Sequence, residues 1–123
     1  MCVDGAALLT GYGGMHVPST PRYNPSLITW CEAGGRAAVA NLRGGCELGE
    51  EWHLAGRRDR KENVFQDFAA VAEFLVAHGN ADRGKVVIHG RSNGGLLVGD
   101  AVVRNPELFA AAACGVPLLD MLR

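Results

Sequence analysis

Between Lys85 and Arg104 the chain runs from an apolar stretch, Lys85-Val86-Val87-Ile88-His89, through Gly90-Arg91-Ser92-Asn93-Gly94-Gly95, into an amphipathic one. Few folds accommodate that order. A strand that becomes a helix within so few residues brings two backbones close to collision. Glycines on either side of the serine remove the side chains that would obstruct the turn. The serine is then held in a strained conformation, at a cost on the order of 1–3 kcal/mol, with its oxygen projecting beyond the sheet edge. The helix that follows aims its first backbone N–H groups at the same place, where negative charge would be stabilised. A bare G-x-S-x-G is weak, because small residues co-occur in loops. With an apolar strand before it and a helix after it, Ser92 reads as a nucleophile in preference to a structural turn.

The rest of the chain supplies the sheet on which such a turn must stand. Ala6 to Tyr12 is a short apolar run ending at glycines, as a buried strand does. Gly13 to Tyr23, with two glycines and two prolines, reads as loop. Asn24-Pro25 predicts a helix start, with Asn24 as N-cap and Pro25 at the first helical position, and Gly34-Gly35 predicts its end. Arg36 to Leu42 is the second strand candidate, and Arg43 to Lys61 reads as a long connection rich in glycine and charge. The clearest helix spans Glu62 to His78, where Val64, Phe65, Phe68, Val71, Ala72 and Leu75 recur at spacings of three and four. Gly79 stands where a left-handed cap is needed. After the serine turn a helix runs to about Arg104 and stops before Pro106, and Ala110 to Val116 is the fourth strand. Strands separated by helices of this length pair in parallel, so the fold class is α/β, a mainly parallel sheet flanked by helices.

Composition narrows the function. Twelve basic residues face thirteen acidic ones, which leaves no surplus of charge for a nucleic-acid or membrane surface. The longest nearly apolar run, Leu108 to Leu119, is too short and too interrupted to span a bilayer. Seventeen glycines among 123 residues are roughly twice the usual share. Cys2, Cys31, Cys46 and Cys114 form no C-x-x-C pair. Zinc and thioredoxin-type sites are therefore not expected, and free thiols in a reducing, cytoplasmic compartment are. Neither glycine-rich phosphate motif holds. His16 occupies the position of the third dinucleotide-fingerprint glycine. Gly79 to Lys85 imitates a P-loop, but Val86 replaces its Ser or Thr and the order of strand and helix is reversed. No cofactor is expected. The run from Arg57 to Glu62 mixes signs and reads as a solvated loop.

A second glycine cluster, Gly11-Tyr12-Gly13-Gly14, follows the first strand, where hydrolases built on such a sheet place a further oxyanion donor. Spacing alone leaves Tyr12 balanced between that role and an ordinary loop aromatic. A catalytic serine of this type is followed in sequence by an acid and then a histidine. Here His16, His53, His78 and His89 all precede Ser92. His89 reads as a core or cofacial histidine of the strand. Asp100 and Asp120 follow the serine but have no later histidine to orient.

Six ordered segments carry a resemblance. They are Gly11 to Gly14; Ala40 to Gly45 with Glu47-Leu48-Gly49 and Trp52-His53; Asp67-Phe68; Gly90 to Leu97; Pro106 to Phe109; and Pro117 to Met121. Together they resemble the catalytic domain of the prolyl oligopeptidase family of serine peptidases, from about Asp4 to Arg123. The resemblance implies a partial α/β-hydrolase fold, truncated after the nucleophile region. Residues 1–123 would be the N-terminal part of the catalytic domain, without its C-terminal half or the family's β-propeller. It implies Ser92 as nucleophile, the Asn93 backbone N–H and the Tyr12 hydroxyl as oxyanion donors, and an acid and histidine beyond Arg123. The implied activity is hydrolysis of short peptides by a monomeric parent enzyme, with no nucleic-acid or membrane partner, and the chain by itself is expected to be inactive.

Specificity is divided. Gly90-Arg91-Ser92 is similar to the oligopeptidase B branch, which prefers basic residues, and Met15 stands where the prolyl branch has a phenylalanine lining its proline pocket. Ser92-Asn93-Gly94-Gly95 and Pro117 to Met121 look like the prolyl branch, and cleavage after proline is favoured. An esterase on the same fold, and a non-catalytic truncated chain, are the remaining alternatives. The Arg43–Lys61 connection, matching the peptidases, argues against the esterase.

Overall fold

The computed structural model describes residues 3–122; Cys2 and Arg123 lie outside them. Four parallel strands form one sheet in the order β2-β1-β3-β4: β1 (Ala7–Gly11), β2 (Arg36–Ala40), β3 (Val86–Arg91) and β4 (Phe109–Gly115). Leu9 pairs with Ala38 on one side and Ile88 on the other, and Gly90 of β3 pairs with Cys114 of β4. The helices are α1 (Pro25–Glu32), α2 (Glu50–Leu54), α3 (Glu62–Ala77) and α4 (Asn93–Arg104). This is the α/β class, with the parallel sheet of a partial α/β-hydrolase fold.

One face of the sheet is filled. Ala7, Leu9, Val86 and Ile88 alternate along β1 and β3 toward that face, as the two-residue period of a strand requires. They meet Val64, Phe68, Ala72 and Leu75 of α3 and Leu97, Val98 and Ala101 of α4, each set at helical spacing. Phe68 is fully buried, so truncating it to alanine would cost about 3–5 kcal/mol. Phe65 and Val71, which share the apolar period of α3, pack against this core while only partly buried. The opposite face is open: Val39 is 50% exposed, and His89 is exposed rather than part of the core.

Local signals act as the sequence predicts. The Asn24 side chain accepts the N–H groups of Ser26 (3.0 Å) and Leu27 (3.3 Å), which caps α1 directly ahead of Pro25. Gly79 adopts φ 68° just past α3. Two details differ from expectation. The Arg43–Lys61 connection contains α2 and a 3-10 turn at Arg58–Arg60, each too short to show a hydrophobic period. The third strand continues through Gly90 and Arg91, because both pair with β4. Cys31 and Cys114 are exposed thiols, since α1 buries no residue and β4 is an edge strand.

Candidate active site

The end of β3, the start of α4 and the loop after β1 converge on Ser92. Its backbone has φ 58° and ψ −120°, a conformation foreign to both the strand before it and the helix after it. The position is fixed from three directions. The Ser92 N–H donates to the carbonyl of Gly115 (3.0 Å), and the Ser92 carbonyl accepts the N–H groups of Gly95 (2.9 Å) and Leu96 (3.1 Å). Gly90 explains why the turn needs its first glycine: a Cβ there would overlap the carbonyl of Gly94, a backbone atom that cannot swing aside. The Ser92 hydroxyl has no hydrogen-bond partner among the described residues and faces an open cavity of about 940 Å³.

Two groups that can donate hydrogen bonds stand around it. Asn93 occupies the first position of α4, so its N–H is one of the orphan donors of a helix start and has no acceptor among the described residues. Tyr12 lines the same cavity as Ser92, with its ring beside Gly94. Two of the expected site groups, Tyr12 and the Ser92–Asn93 turn, are therefore brought together from positions eighty residues apart. Met15 is not. It lies on the tight turn Gly14-Met15-His16-Val17 at φ 57°, is 74% exposed and does not line this cavity.

The side chain of Asn93 has a role that sequence reasoning missed. It is buried, its Nδ2 donates to the carbonyl of Tyr12 (2.6 Å), and its Oδ1 accepts from Lys61 Nζ (3.3 Å). Lys61 Nζ also donates to the carbonyl of Gly13 (2.8 Å). Gly14 permits this close approach, because a Cβ there would stand 2.6 Å from Asn93 Nδ2. Lys61 thus belongs to the site, although the mixed-charge run containing it reads as solvated loop. No sequence signal marks these bonds, since the partners of the Asn93 side chain lie in segments that meet only in the fold.

The loop from Gly13 to Tyr23 is tied to the Arg43–Lys61 connection twice more: Glu47 accepts the Ser19 N–H (2.8 Å), and His16 Nε2 meets Glu50 (3.1 Å). That connection is itself anchored to α3. Asp67 accepts the Arg43 backbone N–H (3.1 Å) and grips its guanidinium through both oxygens, at 2.6 Å and 2.9 Å, raising the arginine pKa further above its ordinary value.

Candidates for acid and base lie elsewhere. His53 bonds the Gly44 carbonyl (2.8 Å), and His78 stacks on Phe74. His89 lines the cavity but makes no hydrogen bond to Ser92. Asp100 pairs with Arg104 of its own helix (2.8 Å), and its burial raises the carboxyl pKa against the opposing pull of that arginine. Among the described residues no group of three or more His, Cys, Asp or Glu side chains could hold a metal. Among the described residues no helix is long and apolar enough to cross a membrane.

A glycine-bracketed serine under strain, with a free helix-start N–H and a tyrosine from the first strand's loop, is an acyl-transfer geometry. Residues 21–123 match the prolyl oligopeptidase family. A prolyl endopeptidase of Elizabethkingia miricola is 44% identical over 116 residues, covering 94% of this chain and 16% of that protein. A solved prolyl endopeptidase is 51% identical with a TM-score of 0.95, over 98% of this chain and 18% of its own. Oligopeptidase B of Leishmania major is 37% identical with a TM-score of 0.91, over 95% and 16%. The chain therefore spans less than a fifth of the length of the relatives it matches. Over that span the fold and the sequence match theirs, and the chain belongs to the prolyl oligopeptidase family.

Proposed function

We propose that these residues are the nucleophile-bearing part of a serine oligopeptidase that cleaves short peptides after proline. The observation that carries the reading is Ser92 at φ 58°, with its hydroxyl free in the cavity beside Tyr12. In the proposed reaction Ser92 Oγ attacks the scissile carbonyl. The bond to the carbonyl carbon forms as the C=O electrons move onto oxygen, and that oxyanion accepts hydrogen bonds from the Asn93 N–H and the Tyr12 hydroxyl. The intermediate collapses, the amine departs with a proton from the general acid, and the acyl group remains on Ser92 until water hydrolyses it. The base that takes the serine proton is a histidine supplied, with its acid, by sequence outside residues 1–123, because each histidine here is bonded elsewhere, stacked or makes no hydrogen bond to Ser92. The remainder of the catalytic domain and a propeller would complete a monomeric, cytoplasmic enzyme that needs no cofactor.

Two observations support proline over a basic residue at the cleavage site. The prolyl endopeptidase structure is more similar to this chain than oligopeptidase B is. The cavity around Ser92 is lined by Arg22 and Arg91 and by no carboxylate among the described residues, so it offers a basic side chain no counter-ion. The test is hydrolysis of a blocked Gly-Pro-p-nitroanilide against the corresponding Gly-Arg compound by the complete polypeptide. The proline compound is expected to turn over, with at least a ~10³-fold loss in Ser92→Ala. Preference for the arginine compound would contradict the proposed specificity, and Ser92-independent turnover would contradict the mechanism.

A further inference from the structure

Lys61 is anomalous for a lysine. It is partly buried at the junction of the 3-10 turn and α3, and it forms no salt bridge with any described carboxylate. Its ammonium instead bonds two neutral oxygens, the Gly13 carbonyl at 2.8 Å and Asn93 Oδ1 at 3.3 Å, and stands 5.8 Å from the centroid of the Phe65 ring. The first oxygen belongs to the residue after Tyr12, and the second to the residue after Ser92. Through Asn93 Nδ2 and the Tyr12 carbonyl the contacts close into a ring: Lys61 to Gly13, along the backbone to Tyr12, to Asn93 and back to Lys61.

A partly buried ammonium without an anion is unfavourable in itself, and burial lowers the Lys61 pKa below the ordinary lysine range. Its geometric effect is specific. The Tyr12 loop and the Ser92 turn come from different strands and are joined by the Asn93 Nδ2 bond to the Tyr12 carbonyl; Lys61 adds a second tie, holding Asn93 Oδ1 to the Gly13 carbonyl. An oxyanion hole works only when both donors are placed before charge develops, and displacement by about 1 Å costs on the order of 10² in rate.

We propose that Lys61 is a positioning residue for the oxyanion hole, clamping the Tyr12–Gly13 loop to the Asn93 side chain so that the Tyr12 hydroxyl and the Asn93 N–H converge on one point. This rests on the peptidase reading above. The test therefore has one arm that needs no activity. In the complete polypeptide, Lys61→Met is expected to speed amide hydrogen exchange across residues 12–17 and 92–94 while leaving β2 and α3 unchanged. Unaltered exchange in those two segments would overturn the clamp.

The second arm is kinetic, with the Gly-Pro-p-nitroanilide substrate. Lys61→Met is expected to lower kcat by about 10- to 100-fold with KM within about threefold. In a Tyr12→Phe background the same substitution should cost less than about threefold more, because the donor it positions is already gone. Full additivity would overturn the proposal. Arg104→Met is the control, since Arg104 also stands over Phe65 (5.5 Å) but among the described residues bonds only Glu62 and Asp100, and it should keep wild-type kcat. If Lys61→Met does not fold, Lys61→Gln is read in the same way, and failure of both to fold would make Lys61 a folding residue and overturn the proposal. Faster exchange in a protein that never turns over substrate would leave the clamp standing and reject the peptidase reading instead.

Discussion

Strain at Ser92 separates function from stability within one residue. A side chain at φ 58° and ψ −120° costs on the order of 1–3 kcal/mol, and the hydrogen bonds that Ser92 donates to Gly115 and accepts from Gly95 and Leu96 hold it there. Ser92→Gly removes the Cβ that causes the strain, at an entropic cost of about 0.5–1 kcal/mol. It should therefore raise stability by about 1 kcal/mol and shift Tm upward in a thermal melt, while abolishing acylation. Ser92→Ala keeps the Cβ and should leave Tm nearly unchanged. Equal melting of Ser92→Gly and wild type would mean that the turn is not strained. That the serine sits in such a turn was legible from its two glycines and its place between strand and helix. Asn93 was only half legible: its N–H followed from helix geometry, but its side-chain bonds to Tyr12 and Lys61 depend on which loops meet in space.

Among the elements, α3 carries more than core packing. Its inward face holds Phe68 against the sheet, its first turn follows Lys61, and its flank presents Asp67 to Arg43. The period of α3 was readable because apolar residues recur over sixteen positions. The five residues of α2 give no such signal, and the ties that order the Arg43–Lys61 connection are single side chains reaching across the fold. The Asp67–Arg43 pair is the strongest of them, partly buried and bonded through both carboxylate oxygens and the Arg43 N–H. Asp67→Ala should cost about 1–3 kcal/mol, because it leaves a backbone donor and a guanidinium without their acceptor. Urea unfolding of the variant checks this, and a loss below about 0.5 kcal/mol would show that the pair contributes no more than an exposed ion pair.

At the scale of the whole molecule, the sheet has one finished face and one open one. The β4 edge and the face bearing Val39 and His89 lie uncovered among the described residues, as do Leu118, Leu119 and Met121 beyond β4. An exposed parallel edge of this kind favours self-association. The order of elements made the parallel sheet legible, but no residue pattern states which face is covered by which segment. The same division applies to the proposed mechanism: the proposed nucleophile and its two proposed oxyanion donors are here, and no histidine among the described residues makes a hydrogen bond to Ser92. The most direct test is mass spectrometry after treatment with a fluorophosphonate. The complete polypeptide should gain one adduct, mapped to Ser92 and absent in Ser92→Ala, while the 123-residue chain alone should gain none above that control. An adduct at another residue, or labelling of the short chain as fast as the complete one, would contradict a nucleophile that awaits its base from elsewhere.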